Sequence, residues 1–389
     1  MTDLKFMIVT GEASGDKHGA ALVEALREAG HGVNFEFFGA AGKRLRAACV
    51  EAVVESDAFS IVGVLEIGRA LPMFLGAFRD LKLAAKERRP DAIILVDFPD
   101  FNLKLAKSLK KQGFKIIYYI SPQLWAWRKY RVNAIKKYVD LMIVILPFEK
   151  EWYAEHGVAN VEYVGHPLAM EVYPKISKED FCRKHGLSAD RPIVALLPGS
   201  RHKEIVRILP VMLDAASLMS AKRPEIQFVI AMASNRDQGD VQQAISAIKN
   251  NGFTPPTIVE NETYDALNAS DAAAITSGTA TLEAGIIGTP MGIVYNSSAL
   301  NYVLLKPLIS VEHYGLINLI AGERIAKEMI QHEFTADSLA NELFRLLEPE
   351  ENAAVRERLK HATDRLGQGG ASKRAAEAIL RLTNNDHPG

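Results

Sequence analysis

The most restrictive feature of this chain is a rhythm. Short, almost uninterrupted apolar and β-branched runs alternate with longer segments patterned for amphipathic helices. In the first half the runs are Lys5–Thr10, Ala92–Val96, Lys115–Ile120 and Leu141–Ile145. From Arg191 the rhythm restarts with Ile193–Leu197, Ile226–Met232, Thr257–Val259, Asp271–Thr276 and Met291–Tyr295. A strand that is apolar on both faces needs cover on both, and the crossover helix between successive parallel strands supplies it. The chain is therefore expected to be α/β, with two doubly wound, Rossmann-like domains facing across a cleft. Its 389 residues also exceed one ordinary domain of about 150. The turn-rich Gly165-His166-Pro167 and Tyr173-Pro174-Lys175 put the linker near residues 166–178, giving domains 1–170 and 171–352 and a charged helical tail from Ala353.

Composition removes several alternatives. Apolar residues make up 48% and charged residues 24%, as in folded, non-fibrous proteins. The formal net charge of −1 leaves no global field to draw in nucleic acid. Two cysteines, Cys49 and Cys182, are too few for a disulfide framework or a thiolate metal site, which suits a reducing compartment. The amino-terminal residues carry no export pattern, and the uncharged stretch Ala284–Leu305 is too interrupted by Gly, Pro, Asn and Ser for a membrane span. Cytoplasmic location with at most peripheral membrane contact is the expectation. No Asp-x-Asp, His-Glu-x-x-His or cysteine cluster is present, so no metal and no cofactor are expected.

Ligands of open parallel sheets collect at the carboxyl ends of strands, so the loops there carry the functional reading. The first strand ends in Gly11-Glu12-Ala13-Ser14-Gly15-Asp16. The glycines leave helix amides open to an anion or a sugar hydroxyl; the alternative is a plain strand-to-helix turn capped by Ser14 or Asp16. Glu12 at a strand tip needs solvent or a hydrogen-bond partner. Asp97, in Asp97-Phe98-Pro99-Asp100-Phe101-Asn102, stands beside aromatic residues whose desolvation would make it a better base. Asp100 is placed instead to cap the next helix. In the second half Pro198-Gly199-Ser200-Arg201 presents a guanidinium suited to paired phosphate oxygens. Ser277-Gly278-Thr279-Ala280-Thr281-Leu282-Glu283 opens a helix whose free amides can seat a diphosphate, with Glu283 in reach of ribose hydroxyls. Ser277 and Thr279 could also serve only as caps.

Two further stretches are unusual. Phe101–Lys137 holds ten basic residues and no Asp or Glu, with Trp125 and Trp127 in its midst. Such a face suits an anionic lipid surface or single-stranded nucleic acid; the alternative is tryptophans in the core and a solvated lysine face. In the apolar segment Ile61–Phe78, the residues Leu71, Phe74, Leu75 and Phe78 share a helical stripe, either buried or turned to acyl chains.

Taken in order, Gly-Glu-Ala-Ser-Gly-Asp, Asp-Phe-Pro-Asp-Phe-Asn, Ser-Pro-Gln-Leu-Trp-Ala-Trp-Arg, Leu-Pro-Phe-Glu, Gly-His-Pro, Leu-Leu-Pro-Gly-Ser-Arg and Ser-Gly-Thr-Ala-Thr-Leu-Glu resemble the lipid-A-disaccharide synthase family. The resemblance spans residues 11 to about 331. It implies a GT-B glycosyltransferase fold whose carboxyl-terminal helix, within about 353–389, returns to the first domain. It implies a metal-independent bacterial enzyme, peripheral on the cytoplasmic face of the inner membrane, that joins UDP-2,3-diacylglucosamine to 2,3-diacylglucosamine 1-phosphate. On this resemblance Asp97 is the general base and Arg201 the essential arginine, with Glu12 beside them as a third catalytic position. Ser14, Asp16, Asn102, Trp127, Gly199, Ser200, Ser277, Gly278, Thr279, Ala280, Thr281, Glu283 and Asn318 are expected at the substrates. The expected partners are the two sugar lipids and a membrane surface met by the basic and aromatic face, not nucleic acid, with a homodimer left open. The sequence departs from the family at Ile317, where proline is expected, and at Asn296, where a basic residue is usual. A UDP-sugar epimerase, another UDP-sugar transferase with a soluble substrate, and a nucleotide- or RNA-binding protein are the rival readings.

Overall fold

The computed structural model describes residues 2–61, 67–232, 238–248, 253–297 and 312–384. They form two compact units, one reaching Pro167 and including the chain from Gly369 onward, the other Leu168–Gln368.

The first unit is a parallel sheet of β1 (Thr2–Val9), β2 (Val33–Ala41), β3 (Glu51–Glu55), β4 (Ala92–Val96), β5 (Ile116–Tyr119), β6 (Leu141–Val144) and β7 (Val161–Tyr163). Their order is β3-β2-β1-β4-β5-β6-β7. The central strands are apolar throughout because they are covered on both faces: every residue of β4, β5 and β6 is buried. One face packs on the helices Ile67–Arg88 and Pro99–Lys110, the other on Ala13–Ala29 and the final helix Ala371–Asn384.

The second unit repeats the plan with β8 (Ile193–Leu197), β9 (Gln227–Met232), β10 (Thr257–Glu260), β11 (Ala272–Thr276), β12 (Met291–Tyr295) and β13 (Glu328–Ile330), ordered β10-β9-β8-β11-β12-β13. In each sheet the strand order reverses once, between β1 and β4 in the first and between β8 and β11 in the second. A crevice opens at such a reversal, outside the carboxyl ends of the two strands, because their crossovers leave toward opposite faces.

Four described strands carry too little apolar signal to be read from sequence. β2 alternates toward solvent over its first residues, β3 is a half-exposed edge, and β7 and β13 have three residues each. The tail also divides later than the sequence suggested. The helix Pro349–Asp364 stays with the second unit, where Arg356 donates to the Gly288 carbonyl at 2.7 Å and Asn352 to that of Asp271 at 2.7 Å. Gly367, Gly369 and Gly370, with φ of +84°, +83° and +70°, supply the left-handed bends before the last helix. In the first unit that helix buries Ala375, Ala376 and Ile379 completely, and Arg374 donates twice to the Val164 carbonyl, at 2.8 and 2.6 Å.

Candidate active site

β1 and β4 are paired with Val9 opposite Leu95, which brings Gly11–Glu12 beside Asp97–Phe98. Asp97 and Phe98 both lie in the left-handed region, with φ of +47° and +51°. Side chains adopt this conformation at a cost of about 1–3 kcal/mol each, so the surroundings must hold it. Three contacts do so. The Tyr118 hydroxyl donates to the Asp97 carbonyl at 2.6 Å, the Asn102 amide donates to the same carbonyl at 2.8 Å, and the Asp97 N–H donates to the Tyr119 carbonyl at 3.0 Å.

The Asp97 carboxyl is pushed up to about 6, first by desolvation and then by the negative charge of Glu12, against the opposing hydrogen bond from the Phe98 amide. The apolar surroundings are aromatic: the Phe98 ring lies 5.9 Å from Phe59, 5.7 Å from Phe101 and 6.3 Å from Phe74. A carboxylate so placed is a stronger base than an exposed one, yet ionised at neutral pH.

The other sequence candidates of this unit divide. Glu12 and Ser14 are exposed at the start of the helix Ala13–Ala29, and neither Ser14 nor Asp16 caps it. Asp16 is buried and serves the fold. Its buried carboxylate accepts from the amides of Gly42 (2.8 Å), Arg44 (2.8 Å) and Leu45 (3.3 Å), closing the start of the helix Lys43–Ala47. The carboxylate expected at a substrate is thus engaged by its own backbone. Asn102 is completely buried and braces the Asp97 turn rather than facing solvent.

Trp125 is core, donating its indole N–H to the buried Glu149 at 3.1 Å, whereas Trp127 is 36% exposed beneath the Arg128 guanidinium. The apolar stripe also splits: Phe74 and Phe78 join the core, while Leu71 and Leu75 are 55% and 61% exposed. Residues 62–66 of that segment lie outside the described residues.

In the second unit β8 and β11 pair with Leu197 opposite Ile275, and a cavity of about 350 Å³ lies at their carboxyl ends. It gathers Gly199, Ser200, Arg201, Ser277, Gly278, Thr279, Ala280 and Glu283 from two loops that are remote from each other in sequence. Thr279 begins the helix Thr279–Ile287; its Thr281 amide donates to the Gly278 carbonyl at 3.2 Å, while the amides of Thr279 and Ala280 come too early for an acceptor within the helix.

Glu204 is a site residue that the loop motifs did not single out. Its carboxylate accepts from the Ser200 and Arg201 amides at 3.3 and 3.4 Å and pairs with the Arg201 guanidinium at 3.1 Å. The Arg201 side chain is nonetheless 83% exposed, so one edge of the guanidinium is held and the rest is open to solvent. The spacing Arg201-x-x-Glu204 at a helix start was the available signal. Gly199 has φ +105°, and a Cβ there would lie 2.5 Å from the Glu204 carboxylate.

Glu283 hydrogen-bonds Tyr264, whose hydroxyl is pushed up to about 12 by burial and by the charges of Glu283 and Glu171. Ser277 and Thr281 are partly occupied: Ser277 donates to the Tyr314 carbonyl at 2.9 Å, and Thr281 donates to the Gly278 carbonyl at 2.8 Å. Asn318 is not among the residues that line this cavity. It is fully buried, donating to the Ala326 carbonyl and Glu328 and accepting from the Ile325 and Ala326 amides, all within 2.9 Å. With both its amide nitrogen and its oxygen engaged, it holds the segment of residues 325–328 in place. Ile317, next to it, is buried against Gly285.

Among the described residues no group of three or more His, Cys, Asp or Glu is placed to hold a metal ion, and no helix is long and apolar enough to cross a membrane.

The model of the lipid-A-disaccharide synthetase family matches residues 6–382. The chain belongs to this family. It is 44% identical over 379 residues to the lipid-A-disaccharide synthase of Trichlorobacter lovleyi, covering 97% of each chain. It is 43% identical to that of Myxococcus xanthus (97% of each chain) and 41% identical to that of Geobacter sulfurreducens (98% of each). As a family member it is an enzyme, a hexosyltransferase of lipid A biosynthesis. Fold likeness alone is wider. The calicheamicin glycosyltransferase CalG4 matches at TM-score 0.59 and 16% identity, with all of both chains covered. A UDP-GlcNAc 2-epimerase from Neisseria meningitidis matches at 0.61 and 14%, with 98% of this chain and 100% of that one covered. The GT-B class expected from the sequence is thus the class found, and family membership does not favour the epimerase reading.

Proposed function

We propose that this chain transfers 2,3-diacylglucosamine from its UDP conjugate to the 6-hydroxyl of 2,3-diacylglucosamine 1-phosphate, with inversion, giving the β-1,6 disaccharide 1-phosphate and UDP. The observation that carries the mechanism is the Asp97 carboxylate, held by a strained and braced turn at the strand reversal of the first unit and raised to about 6. In this reading Asp97 takes the proton of the acceptor hydroxyl as that oxygen attacks the anomeric carbon. The bond to the UDP oxygen breaks, and the diphosphate keeps the electron pair. Base assistance of this kind is worth about 10²–10⁴-fold in rate. Glu12 keeps the base strong by its charge.

The second unit grips the donor. Arg201 and the amides at Gly278–Ala280 meet the charge that grows on the leaving diphosphate, which stabilises the transition state more than the bound ground state. Glu283 accepts from the ribose hydroxyls. No metal is needed in this scheme, because fixed donors and a guanidinium carry the charge.

Peripheral attachment to the cytoplasmic face of the inner membrane completes the proposal. The exposed Leu71, Leu75 and Trp127, with Arg128, Lys129 and the other basic residues of 101–137 apart from Lys104, Lys107 and Lys137, support it as a surface for acyl chains and anionic headgroups.

The test is direct. Purified protein, mixed with the two sugar lipids in the presence of a chelator, is expected to release UDP and disaccharide in equal amounts. Hydrolysis of the donor without disaccharide, or epimerisation of its sugar, would refute the reading.

A further inference from the structure

A cavity of about 430 Å³ lies in the first unit between the helix Pro99–Lys110 and residues 130–138. Its chemistry is lopsided. Lys104, Lys107, Lys137 and Arg131 stand around it, over an apolar floor that includes Leu103 and Tyr138. Asp100 is the sole carboxylate of the lining, and Arg128 and Arg131 already share it. Lys104, Lys107 and Lys137 make no ion pair among the described residues, although Lys110 pairs with Asp140. Ammonium groups gathered without a counter-charge repel one another, and an anion placed among them relieves that repulsion. A solvated basic surface would not need the concavity or the apolar floor; an anion attached to a less polar body uses both.

The wall of this cavity begins at Pro99, two residues beyond Asp97. Two peptide units reach at most about 7.6 Å, a span that one sugar ring bridges. We propose that this cavity binds the phosphate of the acceptor sugar, fixing the ring so that its far hydroxyl meets Asp97. The inference rests on the acceptor assigned above, and it adds a specificity site that the strand-end loops do not contain. A phospholipid headgroup has the same phosphate chemistry, so the experiment separates the two sources.

The triple variant Lys104→Gln/Lys107→Gln/Lys137→Gln is made in the full chain. Each charge-assisted contact to a phosphate is worth about tenfold in affinity. The variant, which loses at least one such contact, is therefore expected to raise KM for the phosphorylated acceptor by at least about tenfold. KM for the UDP-sugar and the rate with a dephosphorylated acceptor are expected to stay at wild-type values. Inorganic phosphate should inhibit the wild type competitively against the acceptor and leave the variant unaffected.

A variant that keeps the wild-type preference for the phosphorylated acceptor overturns the proposal. If that same variant has lost binding to phosphatidylglycerol vesicles, the lysines serve a headgroup instead. Should the wild type make no disaccharide at all, the functional reading fails separately. Equilibrium binding of the monosaccharide phosphate to wild type and variant then still decides the cavity: equal affinities overturn it, and a loss of at least about tenfold supports it.

Discussion

Gly11 and Phe98 approach so closely that a Cβ on the glycine would fall 2.2 Å from the phenylalanine ring. The ring belongs to the turn that carries Asp97, so the absence of a side chain in one loop fixes the base in the other. Gly11→Ala must push the ring into its aromatic neighbours or release the left-handed turn. We expect kcat to fall at least about tenfold with UDP affinity intact, and a stability loss of about 1–3 kcal/mol, read by steady-state kinetics and urea denaturation. Wild-type kcat in this variant would show that the turn does not depend on the contact.

Asp97→Asn removes the base while keeping the shape. Turnover should drop by about 10²-fold or more, with the UDP dissociation constant unchanged. In the wild type kcat/KM should rise with pH through about 6, as the carboxyl loses its proton. The stability sign is opposite. A carboxyl raised above its ordinary value favours the folded state at low pH, and that contribution fades as pH climbs through 6. The variant should therefore melt higher than wild type at pH 8 and show no such gain at pH 4. Equal melting temperatures at pH 8 would argue that Asp97 is not desolvated.

Asp16 separates structure from substrate contact. With three amides on its carboxylate, Asp16→Ala leaves buried N–H groups unmet and should cost about 2–4 kcal/mol in chemical denaturation. At a temperature where the variant is folded, both KM values should match wild type. A raised KM with unchanged stability would instead assign Asp16 to the substrate.

Glu149 gives a stability titration. Burial pushes its carboxyl up to about 7, against hydrogen bonds from the Leu146 amide, the Trp125 indole and Ser121. A raised pKa means the folded state gains from the protonated form, so this contribution is full below about 4 and is lost as pH rises through 7. Glu149→Gln should flatten the decline of melting temperature between pH 5 and 8.5, and the Trp125 fluorescence change over that range should vanish. A decline as steep as wild type would exclude Glu149 as its source.

Sequence is most legible where one physical demand dominates. Strands such as Ala92–Val96 and Ile193–Leu197 must be apolar on both faces, and they stand within the bounds read from that pattern. The loops after them are legible too, and Arg201 does share a cavity with Ser277–Ala280. What stays hidden needs partners remote in sequence. Asp16 looks open to a ligand because the amides of residues 42–45 that claim it lie 26 or more positions away. Asn318 is claimed from nearer by, its oxygen accepting from the Ile325 and Ala326 amides seven and eight positions on, across a loop with no periodic pattern to read. Leu71 and Leu75 share a helical stripe with Phe74 and Phe78, yet only the phenylalanines reach the core.

The closing helix, Ala371–Asn384, seals hydrophobic surface laid down by residues synthesised long before it. A ribosome releases the amino-terminal unit with one side of its sheet covered only by the helix Ala13–Ala29, and the rest of that side waits through the translation of roughly two hundred residues of the other unit. The second unit can finish first. A stop codon at residue 370 would therefore injure the start of the protein, leaving a greasy sheet face for chaperones to shield.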